Sequence, residues 1–109
     1  MPHSLQDRVS LEIARRVASE LSRRSDWIAL ARGNLDRWSD LNRGSPALLR
    51  SYEEWRTILA RPVAEVCAVL IADTEEGQRL RQNSPFAGAL SPDQVWDIKR
   101  SARHEQNAA

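Results

Sequence analysis

From Leu5 to Arg103 the apolar residues of this chain recur at every third or fourth position, and no stretch alternates apolar with polar as a half-buried strand would. That spacing follows the 3.6-residue turn of an α-helix. The pattern therefore predicts an all-α fold. Pro, Gly and Ser divide it into five or six helices with no linker, internal repeat or low-complexity tract. The expected architecture is a compact single-domain bundle over 1–109, with short flexible ends at about 1–3 and 104–109. A chain of 109 residues buries roughly 60–70% of its unfolded surface, enough for one core without staples.

The helix boundaries are written in caps. Ser4 as N-cap with Asp7 opens a first helix, whose apolar positions Leu5, Val9, Ile13, Val17 and Leu21 repeat every four residues. A second starts at Ser25 or Asp26, with Trp27, Ala31, Leu35 and Trp38 as its stripe, Ile28 and Leu41 beside it, Gly33 weakening it and Gly44 stopping it. Ser45 and Pro46 begin the third, which carries Leu48, Leu49, Tyr52, Trp55, Ile58 and Leu59. Pro62 begins a fourth, in which Val63, Val66, Cys67, Leu70 and Ile71 make it the expected most buried element. Asp73 with Glu76 caps a short fifth helix, and Ser91, Pro92 and Gln94 open a sixth. The string "HEQNAA" after Arg103 has nothing to bury and is expected to fray.

Composition removes several functions. Sixteen basic residues stand against fifteen acidic ones, so no bulk field draws the domain onto nucleic acid. The longest apolar run, "VCAVLIA", is far short of the roughly 20 residues of a membrane span, so no membrane partner is expected and the chain is taken as soluble and cytoplasmic. Cys67 lies among aliphatics as core filler. His3 and His104 sit in opposite tails, no serine has a base arranged beside it, and no Gly-rich phosphate loop or metal-ligand cluster is present. Glu53-Glu54 and Glu75-Glu76 are neighbours that point about 100° apart on a helix, which makes no dyad. No metal, no cofactor and no enzymatic activity are expected.

Four tryptophans, Trp27, Trp38, Trp55 and Trp96, fall on four different helices. As core residues they knit the bundle together; exposed, one of them is a partner anchor, and Trp96 on the last helix is the candidate. Basic residues cluster at Arg15, Arg16, Arg23 and Arg24, and again at Lys99, Arg100 and Arg103. Either cluster reaches phosphate, but interleaved Glu12, Glu20 and Asp97 favour paired, solvated faces. The long connection between the last two helices is unlike the three- or four-residue turn of a helix-turn-helix. Duplex DNA is therefore expected to bind weakly at most.

That connection, "NSPFAGAL", is the oddest segment, because Phe86 and Leu90 are apolar side chains on a loop. Gly88 supplies its turn. Two readings stand. Phe86 and Leu90 are plugs over the domain's own core, or they are anchors of a recognition loop rimmed by Arg79, Arg81, Gln82 and Ser84.

The segments "ARGNLDRW", "YEEWRTIL" and "EEGQRLRQNSPFAGALSP" resemble a group of short all-helical bacterial proteins. These share an A-R-x-N-L-x-R-W segment, a W-x-x-I-L segment and a closing R-L-R-Q-x-S-P-F-A-G-x-L-S-P, and the resemblance runs from Leu5 to Arg103. Members tend to be encoded beside nucleotidyltransferase-like or other toxin-type genes. The resemblance thus implies an antitoxin or accessory subunit that binds a protein partner, and it supplies no catalytic or binding residue of its own. The expected function is a non-catalytic interaction protein, with Arg79, Arg81, Gln82, Ser84, Phe86, Leu90 and Trp96 at the partner surface. The alternative is a DNA-binding regulator using Lys99, Arg100 and Arg103.

Overall fold

Six α-helices account for about three quarters of residues 4–108, the part of the chain that the computed structural model describes. They are α1 (Leu5–Glu20), which runs on into a 3-10 turn at Leu21–Arg23, α2 (Ser25–Leu41), α3 (Pro46–Leu59), α4 (Val63–Ile71), α5 (Glu75–Arg81) and α6 (Pro92–Ala108). No strand occurs among the described residues. Packing runs around α1, which touches α4, α5 and α6, while α3 joins α2 to α4 and α4 joins α5. The expected ends at 1–3, His3 included, and Ala109 lie outside the described residues. At the other end α6 does not stop at Arg103. It stays helical to Ala108, where an Arg8 to Glu105 hydrogen bond of 2.7 Å ties its last turns to α1.

Caps set the starts. The Asp7 N–H donates to Ser4 Oγ at 3.1 Å. At α6 the box is reciprocal: Gln94 N–H donates to Ser91 Oγ at 3.2 Å and Ser91 N–H to Gln94 Oε1 at 2.8 Å. For α5 the cap is Thr74 rather than Asp73, since Thr74 Oγ1 accepts the Gly77 N–H at 3.0 Å. Ser45 stands at the N-cap of α3 without a side-chain bond, leaving Pro46 to set that helix's direction. Gly44 has no left-handed backbone; α2 ends instead where Asn42 returns both its N–H and its amide to the Trp38 carbonyl.

The core centres on Val17, Leu21, Ala31, Leu35, Trp55, Val66 and Leu70. Trp55 is fully enclosed and its indole N–H donates to the Leu80 carbonyl at 3.0 Å, so the one polar atom of the ring is satisfied. Trp38 meets Tyr52 at 5.9 Å between ring centroids, and Arg24 lies 4.6 Å over Trp27. Three sequence expectations shift here. On α1 the buried face is Leu11, Ala14 and Val17, with Leu5, Val9 and Ile13 only half-covered. A four-residue repeat creeps about 40° around the helix per step, so it cannot stay on one contact line. α4 buries only Val66 and Leu70 fully, and Ile71 is 44% exposed, because nine residues present apolar groups on more sides than the neighbours cover. Leu41, at the end of α2, is 80% exposed.

Cys67 is half-buried against the core with its thiol 3.5 Å from the Ala18 carbonyl, and burial pushes its pKa up. No helix among the described residues is long and apolar enough to cross a membrane. The radius of gyration, 14.2 Å, exceeds the about 13 Å of a globule this long. The exposed end of α6 fits that excess.

Candidate functional site

The loop between α5 and α6 resolves into a plug. Phe86 and Leu90 are each 5% exposed, and the Phe86 ring stands edge-on to Trp55 at 6.4 Å and 83°. Gly88 takes φ 89°, the left-handed turn that glycine accepts at no steric cost. What fixes the loop is Asn34 of α2. Its buried amide donates to the Pro85 carbonyl at 2.8 Å and the Ala87 carbonyl at 2.9 Å, while its oxygen accepts from Arg37. Sequence reasoning missed Asn34, although an amide between the apolar positions Ala31 and Leu35 is a visible signal: a buried amide needs partners.

Of the rim residues, Arg81 is buried and Arg79 is ion-paired at the surface. Arg79 makes a two-pronged pair with Glu54 of α3, at 3.0 and 2.6 Å, and bonds Glu76 as well. The guanidinium holds both carboxyls below the ordinary glutamate value, and the two carboxylates push Arg79 above the ordinary arginine value. Arg81 is only 6% exposed and donates through Nη1 to the Leu70 and Ala72 carbonyls at 3.2 and 2.6 Å. There it faces the negative end of α4. Burial pulls its pKa below the usual arginine value, against the opposing charges of Asp73 and Asp7. The Ser84 N–H donates to the Arg81 carbonyl at 3.2 Å in the turn, and Gln82 is exposed just after α5. Phe86, Leu90 and Arg81 are thus corrected from partner contacts to parts of the domain's own packing, whereas Arg79 stays exposed with its guanidinium taken up by Glu54 and Glu76.

One group of predicted residues stays together in solvent. Trp96 is 59% exposed, and Lys99 Nζ sits 5.9 Å from its ring centroid. At about 100° per residue, Trp96, Lys99, Arg100 and Arg103 share one side of α6. Val95, Ile98 and Ala102 face the bundle. Arg100 is paired with Asp97, whereas Lys99 and Arg103 have no ion pair among the described residues. On α1 the basic residues are mostly neutralised in place, Arg15 by Glu12 and Arg16 by Glu20, and Arg24 is held by Asp26. The first basic cluster is therefore paired for the most part, whereas the α6 cluster has one paired cation of three and carries an exposed aromatic beside them.

Among the described residues no cluster of His, Cys, Asp and Glu is placed to hold a metal ion. Glu53 and Glu54 turn to different arginines, Arg56 and Arg79. Comparison of the chain with models of protein families, with curated proteins and with solved structures finds no match.

Proposed function

We propose that this chain is a non-catalytic interaction protein, the antitoxin or accessory subunit of a bacterial toxin-antitoxin pair, and that it holds its toxin through the outer face of α6. The observation that carries the reading is the half-exposed Trp96 beside Lys99, on the side of α6 opposite to its buried residues. An exposed tryptophan flanked by cations is the composition of an interface centre, large in apolar area and matched to an acidic patch. The resemblance of the chain's motifs to proteins encoded beside toxin-type genes supports a partner of nucleotidyltransferase-like kind.

The test is titration calorimetry of the chain against the toxin-type protein encoded beside it. Trp96→Ala is expected to weaken association by roughly 2 kcal/mol or more, about 30-fold, while leaving the unfolding midpoint unchanged. Unaltered affinity in that variant removes α6 as the interface. The second reading, binding to DNA, is favoured by Lys99, Arg100 and Arg103 lying on one face. Three phosphate contacts give a slope of log affinity on log salt of about −3 at most, so nanomolar, sequence-selective binding at physiological salt would replace the first reading.

A further inference from the structure

We infer that the cleft beside Arg81 is a binding site for one small apolar carboxylate. Arg81 carries a full positive charge at nine-tenths burial, yet its hydrogen-bond partners are two backbone carbonyls, which bring no formal charge. Among the described residues its Nε–H has no partner. A buried donor on a charged group without a partner is among the costlier arrangements in a folded protein, and a ligand that draws the guanidinium toward the cleft it lines, with a small turn of the side chain, relieves that cost.

The space is there. Arg81 lines a cleft of about 170 Å³ together with Ser10 and Ile13 of α1, Leu70 of α4, and Ser84 and Phe86 of the loop. That compares with an apolar cavity of about 150 Å³, which accommodates benzene. The chemistry of the walls then selects the ligand. Ile13, Leu70 and Phe86 suit a ring or a short branched chain, and the two serine hydroxyls and the guanidinium suit an anionic head. A phosphate would have to shed its hydration against mostly apolar walls, whereas a carboxylate with an apolar body matches both halves. Arg is the side chain for this task, since its planar fork binds carboxylates while remaining charged when buried. The site is separate from the α6 face and does not depend on the function proposed for it.

Benzoate and its uncharged counterpart benzyl alcohol are the probes, and the Arg81 Nε–H resonance in a proton-nitrogen correlation spectrum of the whole chain is the readout. Benzoate is expected to shift that resonance saturably and to bind at least about tenfold more tightly than benzyl alcohol, the ratio set by a hydrogen bond to a charged group. Ser10→Phe, which fills the cleft from α1 without touching the Arg81 carbonyl bonds, is expected to abolish the shift with the helical circular dichroism signal retained. Ala87→Trp on the exposed rim is a second blocking variant, used where the first does not fold. A linear, unsaturable response to benzoate, equal affinity for the two probes, or undiminished binding in a folded blocked variant overturns the site.

Discussion

Phe86 shows why a single residue can be recognised as important and still be misplaced. In the sequence it stands out because an apolar ring on a loop demands cover, and that much was legible. Whether the cover is the chain's own core or another protein depends on contacts that no periodicity encodes. The deciding bonds run from Asn34 to carbonyls 51 and 53 positions away. With its ring 5% exposed against Trp55, Phe86→Ala is expected to cost roughly 3 to 5 kcal/mol of folding stability, read from denaturant unfolding. A loss under about 1 kcal/mol would mean that the loop is held by Asn34 alone.

At the scale of elements, two helical glycines carry opposite expectations. A β-carbon on Gly33 would meet only Arg37 Nη1 at 3.6 Å, an ordinary contact, so Gly33→Ala should stabilise α2 by about 0.5 to 1 kcal/mol through reduced unfolded-state freedom. On Gly77 it would lie 2.0 Å from the Ala72 carbonyl oxygen, a backbone atom with no room to yield. Gly77→Ala should therefore destabilise by about 1 to 3 kcal/mol, or more, as overpacking does. Thermal unfolding of the two variants checks both signs. The same close approach explains the one cap assigned a residue early. Asp73 and Thr74 are both competent caps by type, and Thr74 is chosen because Gly77 must press against Ala72 with its N–H turned to Oγ1 at 3.0 Å. Elsewhere the helices were legible because caps and period are local, as at Ser4, Pro46 and Ser91. The buried faces of α1 and α4 were not, because which side of a helix is covered is decided by its neighbours. Trp96, exposed on α6, stood out as a candidate because its helix is last and directly follows the odd loop.

Across the whole molecule, the Glu54–Arg79–Glu76 cluster joins α3 to α5 and couples stability to pH. Both carboxyls are held below their ordinary value by Arg79 in the folded state. Their contribution is therefore present above the unfolded glutamate value, about 4.3, and is lost as pH falls through that value toward the lower folded ones. Unfolding midpoints measured from neutral pH down to about 3 should drop, and Arg79→Ala should flatten the drop; an equally steep fall in the variant would assign the acid sensitivity to other carboxylates. The effect is modest, since these side chains are about half-exposed or more.

The pairing of α1 with α6, closed by Arg8 and Glu105 across 97 positions, also sets an order in time. During synthesis α1 leaves the ribosome first and the helix that lies along it leaves last, at rates of about 5 to 20 residues per second. For the several seconds between, α1 can meet α4 and α5 but has no α6 to cover the rest of its apolar side. The nascent chain is then a bundle with one open flank, and a chaperone or a neighbouring chain has its chance at that flank only until α6 arrives.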